Sequence, residues 1–296
     1  MQLMKESIVI PEHLAPQFEK AKEELGEDVF NEKLDVKFGK PVLNFARSMV
    51  INLPGDCYAN CWYCIDGSLR RQVTDSDTFI TRCEEVFKEF PDMYEIAITG
   101  GSLPADKFNY LLSMIRSYYP DVKITWNTNG PNLNEDYLPG IEKINFVNLH
   151  RNAVSEDENF KIFKSTVPII TIEEAKKLIG DKLFLRVTVD KDFKLSDWTD
   201  LGVPLYLNKL LPGNPETNKV YEDVLNQLQK DKETSKRRRN RYLNYQYNGT
   251  PVRVCVGDTE AKRVKGRYPV YLNVVIIHRN ALVCGSWYLD DKLLIE

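Results

Sequence analysis

Cys57, Cys61 and Cys64 place three thiols in one short loop, and no other feature constrains the fold of this 296-residue chain so strongly. The residues leading in, Ser48-Met49-Val50-Ile51-Asn52-Leu53, read as a buried strand stopped by Pro54-Gly55, so the thiols stand at a strand's carboxyl end. Ligand sites of α/β folds gather at that end. Thiolates at i, i+4 and i+7 can hold three irons of a [4Fe–4S] cluster. Such a cluster usually takes four cysteines, so its fourth iron would be left for a substrate or cofactor. The competing reading is a zinc site or a disulfide. Zinc asks for four ligands, and the only histidines, His13, His150 and His278, lie outside the loop.

Downstream, apolar β-like runs alternate with amphipathic stretches, the pattern of βα units around a parallel sheet. Strands are expected at 48–53, 94–99, 122–127, 144–150, 183–189 and 204–208, and helices at 78–90, 106–118 and 172–179. Before them, 11–25 reads as a short helix. After Pro212-Gly213 the composition shifts: 217–241 reads as helical with a basic end, and 252–256, 268–278 and 281–287 alternate like strands of a small antiparallel unit. The expected organisation is an N-terminal extension at 1–41, an α/β core at 42–212 and an α+β C-terminal extension at 213–296. With 43% hydrophobic residues the chain can build a substantial core.

With Tyr63 directly before the third cysteine, the C-x3-C-x2-C loop after a first strand resembles that of the radical S-adenosylmethionine (SAM) superfamily. The resemblance implies a partial (β/α)6 barrel, closed by the C-terminal extension, which also shapes the substrate site. It implies that Cys57, Cys61 and Cys64 ligate a [4Fe–4S] cluster and that Tyr63 lies against the adenine of SAM. One electron from the cluster then cleaves SAM to a 5′-deoxyadenosyl radical that abstracts hydrogen from a substrate, and an electron donor such as flavodoxin or ferredoxin supplies the electron. The chemistry is the cofactor's, while the protein positions and shields it.

Further motifs fall where strands end. Gly100-Gly101-Ser102 follows the second strand, and paired glycines let backbone approach a ligand. The family's Gly-Gly-Glu segment at this place binds the methionine amino group; Ser102 replaces its acidic residue here, so a carboxylate contact is lost and a backbone one kept. Asn127 and Thr128 end the third strand with groups that can bond ribose or the amino-acid part of SAM, although the following Asn129-Gly130 is also a common turn. Arg186 interrupts an apolar strand and needs an anion, either the SAM carboxylate or a barrel carboxylate. His150 closes the fourth strand as a SAM or substrate contact or as a structural residue. Asn208 and Lys209, at the end of the sixth strand, are substrate-contact candidates.

Three cysteines remain. Cys83, in a helix, reads as core. Cys255 and Cys284 fall short of an auxiliary cluster, and each is either core or a hydrogen-atom donor to a substrate radical, Cys284 being favoured because Gly285-Ser286-Trp287-Tyr288 beside it looks like a loop. The run Lys236-Arg237-Arg238-Arg239-Asn240-Arg241, with Tyr242, Tyr245 and Tyr247 after it, matches phosphate contact plus base stacking or else a solvated helix face. Together these features rank nucleotide or nucleic-acid modification first and peptide modification, such as epimerisation or crosslinking, second. A non-catalytic iron–sulfur or zinc protein that binds nucleic acid is the other class. No apolar run approaches a membrane span and no signal-peptide pattern opens the chain, so a soluble, cytoplasmic protein is expected.

Overall fold

The structure, a computed structural model, describes residues 8–61, 64, 73–210, 215–230, 242–255, 271–285 and 293–295. Helices α1 (Ala15–Leu25) and α2 (Glu27–Lys33) lead into a hairpin of β1 (Leu34–Lys37) and β2 (Lys40–Asn44). Leu14, Phe18, Ala21, Phe30 and Leu43 form a small core of their own there.

Six parallel strands follow: β3 (Ser48–Leu53), β4 (Glu95–Gly100), β5 (Lys123–Thr128), β6 (Phe146–Arg151), β7 (Leu183–Val189) and β8 (Leu205–Lys209). Between them run α3 (Ser76–Glu89), α4 (Ala105–Tyr118), α5 (Leu138–Ile141), α6 (Glu156–Phe163), α7 (Ile172–Ile179) and α8 (Leu195–Thr199). Local chemistry starts these helices. Asp75 accepts the N–H groups of Asp77 and Thr78 at the start of α3, and Thr171 with Glu174 forms a capping box before α7. The apolar positions of α3, Phe79, Cys83, Val86 and Phe87, recur every three or four residues and are wholly buried.

The strands divide into two faces. Ile96, Ile98, Ile124, Trp126, Val147, Leu149, Leu185 and Leu207 alternate onto the helix side and are at most 2% exposed. Trp126 meets Phe108 of α4 at 4.8 Å between ring centres, which fixes this side as the one the helices cover. Asn52, Asn127, Asn148, His150, Arg186 and Tyr206 alternate onto the other side. That side is the barrel lumen.

Helix α9 (Pro215–Gln227) and strands β9 (Gln229–Lys230), β10 (Tyr242–Tyr247) and β11 (Thr250–Cys255) come next, then β12 (Tyr271–Leu272), β13 (Val275–Ile277), β14 (Val283–Cys284) and β15 (Leu293–Ile295). Strand β12 pairs with β2. The others do not form the separate antiparallel unit expected from their alternation. Instead β11 adds in parallel to β8 and β13 adds in parallel to β3, so C-terminal strands extend both edges of one 12-stranded sheet. The physical reason is the open edge: the outermost barrel strands present unpaired backbone groups, and local alternation cannot say which edge a later strand will cover. Strands β10 and β11 are joined by Asn248-Gly249, both at positive φ, a two-residue hairpin turn.

Candidate active site

At the carboxyl end of β3, Gly55 N–H donates to the Ser102 carbonyl at 2.9 Å and Gly101 N–H donates to the Leu53 carbonyl at 3.1 Å. A Cβ on Gly101 would lie 1.7 Å from the Gly55 carbonyl oxygen, and one on Gly55 would lie 2.1 Å from that of Ser102. The glycines therefore let two strand ends touch, backbone to backbone. Ser102 Oγ donates to the Asp56 carbonyl at 3.1 Å, so the residue in the acidic position braces the start of the cysteine loop. Arg279, 2% exposed and contributed by the C-terminal segment, donates through Nη2 to the Gly55 carbonyl from the other side.

The loop itself is pinned at two further points. Asn60 N–H donates to the Phe163 carbonyl at 2.6 Å and Thr166 N–H donates to the Tyr58 carbonyl at 3.1 Å, which ties it to the segment after α6. Cys57, Cys61 and Cys64 are partly exposed and in no disulfide. Among the described residues no three Cys, His, Asp or Glu side chains converge as a ready metal site. Tyr63 lies outside the described residues.

The lumen face beside this loop is polar. Asn52 is wholly buried, and among the described residues neither its amide nitrogen nor its oxygen has a hydrogen-bond partner. Its side chain lies over Gly100, at φ +90°, whose missing Cβ would fall 1.7 Å from the Asn52 oxygen. A buried amide without partners costs about 1–3 kcal/mol, and a polar ligand at this strand end would relieve that cost. Further round, Asn127 Oδ1 accepts from Arg186 Nη1 at 2.7 Å and from Asn148 Nδ2 at 2.9 Å. The Arg186 guanidinium stands 5.3 Å from the centre of the Tyr206 ring. His150 Nε2 is 3.2 Å from Thr188 Oγ1. Burial first, then the charges of Arg186 and Arg151, push the His150 imidazole down to about 3, so it is neutral near pH 7.

The remaining candidates separate by face. Thr128 sits on the helix-side register with Leu149, and its Oγ1 accepts the Gly130 N–H at 3.0 Å, a turn contact. Asn208 pairs with Thr188 on the lumen side, whereas Lys209 is exposed at the tip of β8. Cys255 ends β11 and is partly exposed. Cys284 ends β14, paired with Ile276 and 0% exposed, and burial pushes its thiol up to about 12. Of the tyrosines expected to stack on bases, Tyr245 is 7% exposed within the core and Tyr247 packs against it; the basic run at 231–241 lies outside the described residues. Asn52, Asn148, Thr188, Tyr206 and Arg279 went unnoticed in the sequence, although a polar residue inside an apolar strand was a signal for the first four.

No protein-family model matches the chain, and no curated protein matches its sequence. Among solved structures, it is similar to Streptococcus suis SuiB bound to S-adenosylmethionine, with a TM-score of 0.53 at 12% identity over 93% of this chain and 64% of that one. It is similar also to SuiB bound to the precursor peptide SuiA, with a TM-score of 0.52 at 11% identity over 97% of this chain and 67% of that one. The fold is the partial barrel of radical SAM enzymes. The chain spans 64% of the length of the SAM-bound SuiB.

Proposed function

We propose that this chain is a radical SAM enzyme that abstracts hydrogen from a substrate bearing a nucleotide or a nucleic-acid base. The observation that carries the reading is the coincidence of three cysteines outside any disulfide and a polar lumen at the carboxyl mouth of one parallel barrel. Cys57, Cys61 and Cys64 would hold a [4Fe–4S] cluster; their number and spacing leave one iron without a protein thiolate. When bound, the cluster supplies the electron that cleaves SAM. The chain's own residues do the rest. Gly100 and Gly101 let the ends of β3 and β4 close up, and the Asn52 amide, unpartnered among the described residues, offers its N–H groups and its oxygen to a polar ligand beside them. Arg186 offers charge for a carboxylate, and neutral His150 can accept or donate a hydrogen bond but adds no charge.

Cys255 is better situated than Cys284 to give a hydrogen atom to a substrate radical, because it is partly exposed at a strand's carboxyl end. The basic run and the lumen arginines support a phosphate-bearing substrate. A peptide substrate is the second reading, favoured by the 97% of this chain that matches the peptide-bound SuiB.

The test is anaerobic reconstitution with iron and sulfide, addition of dithionite and SAM, and quantification of 5′-deoxyadenosine. Product that disappears in the C57A/C61A/C64A variant is the expected result. Zinc retained in place of iron, with no cleavage, would overturn the assignment in favour of a binding protein. Nucleotides and peptides are then compared by how far each accelerates cleavage.

A further inference from the structure

Strand β11 lies outside the six barrel strands, yet it brings a charge to the lumen. It pairs in parallel with β8, so that Arg253 registers with Tyr206, Tyr206 with Arg186, and Arg186 with His150. Neighbouring strands are ~4.8 Å apart, so the two arginine backbones flank Tyr206 at a separation of ~10 Å. The residues on either side of Arg253, Val252 and Val254, are at most 1% exposed on the helix side, which leaves Arg253 to the lumen.

Among the described residues neither arginine meets a carboxylate. Arg253 Nε donates to Asn244 Oδ1 at 3.1 Å, which orients the guanidinium, and this is its one partner among the described residues. Arg186 spends one nitrogen on Asn127 and lies over Tyr206. Asp190, just beyond β7, accepts the Asp192 N–H rather than an arginine. Arginines that serve structure in this protein look different. Arg151, 0% exposed on the helix side, bonds Glu156 and the carbonyls of Asn129, His150 and Ile170. Arg116 bonds the carbonyls of Lys143, Pro120 and Val122 and the Asn145 side chain. Against those saturated cases, neither Nη group of Arg253 has a partner among the described residues, and the two form a planar fork suited to two oxygens of one anion.

We propose that Arg253, oriented by Asn244 and aided across Tyr206 by Arg186, binds an oxyanion of the substrate, either a phosphate or a carboxylate. The proposal rests on the radical SAM reading only for the word substrate. Strands β4 to β8 lie between β11 and the strand that carries the cysteine loop in the order of the sheet, and the proposal assigns the anion to the substrate. A phosphate would come from a nucleotide and a carboxylate from a peptide side chain or terminus.

The experiment uses the full chain without iron or SAM, which keeps its outcome separate from that of SAM cleavage. Phenylglyoxal modification of Arg253 is followed by mass spectrometry at low ionic strength, with inorganic phosphate and, separately, acetate as protecting probes. Isothermal titration with the same probes compares the natural chain with R253K and R253Q, whose folding is checked by circular dichroism. Expected is protection of Arg253 by at least one probe, with binding weakened about tenfold or more in R253Q, the equivalent of one factor of ten in Kd. R253K should fall between, since it keeps the charge and loses the fork. Phosphate alone protecting would mark a phosphoryl source, acetate alone a carboxylate source, and both a site that accepts either. Modification of Arg253 unaffected by both probes, or binding unchanged in R253Q, would overturn the proposal; should R253Q not fold, protection in the natural chain decides.

Discussion

The cysteines divide by environment, and their reactivity should follow. Cys57, Cys61, Cys64 and Cys255 are partly exposed, whereas Cys83 and Cys284 are buried and burial raises both thiols, Cys284 to about 12. The thiolate is the reactive form, so at pH 8 iodoacetamide should label the first four in the native protein and the last two only after denaturation. Peptide mass spectrometry with and without guanidinium checks this, and rapid native labelling of Cys284 would mean that β14 is not packed as described. The spacing of the cysteine triplet is read directly along the chain. The burial of Cys284 was not legible, because Gly285-Ser286 reflects only its neighbours in the chain, while its pairing with Ile276 brings in another strand.

Among the elements, β3 and β7 fall where the sequence pattern predicts them, as does α7, because each is bounded by its own stop or cap. Four of the other strands begin and end one or two residues later than expected, at Glu95–Gly100, Lys123–Thr128, Phe146–Arg151 and Leu205–Lys209. The shift reaches the polar rim residues, which pair with neighbours despite lacking apolar character. The helix expected over 217–241 gives way at Gln229 to a strand that pairs with β10, since a sheet edge offers backbone partners that local propensity does not record. The sharpest element-level consequence concerns the touching ends of β3 and β4. Gly101→Ala would set a methyl 1.7 Å from the Gly55 carbonyl oxygen and 2.8 Å from Arg279 Nη2. Backbone must move to accept it, so urea unfolding should show a loss of about 1–3 kcal/mol, the range for overpacking. A variant as stable as the natural chain would mean that the loop start is looser than these contacts indicate.

At the scale of the molecule, the C-terminal strands complete the barrel sheet at both edges: β13 runs along β3 and β11 along β8. Val252, Val254, Val275, Ile277 and Val283, each at most 1% exposed, join the main core. A chain cut after residue 212 should therefore bare two strand edges and the apolar surface these residues cover. It is expected to bind the dye anilinonaphthalene sulfonate strongly and to aggregate at micromolar concentration, measured by fluorescence and light scattering. A monomeric, dye-silent fragment would show that the barrel stands without its extension. Among the described residues no helix is long and apolar enough to cross a membrane.

Sequence by itself determined the features that depend on near neighbours: the thiol spacing, the alternation of strand and helix, the caps, and the stop at Pro54-Gly55. These follow from chain geometry and from the hydrogen-bonding habits of single residues. Which residues share the lumen was decided in three dimensions. Arg186 and Arg253 are 67 positions apart in the chain and meet on either side of Tyr206 only because β11 chose the β8 edge. Asn52 lies over Gly100, 48 positions on in the chain, only because β3 and β4 pair side by side. Pairing across a sheet is set by the register of many backbone bonds at once, and no local pattern encodes it.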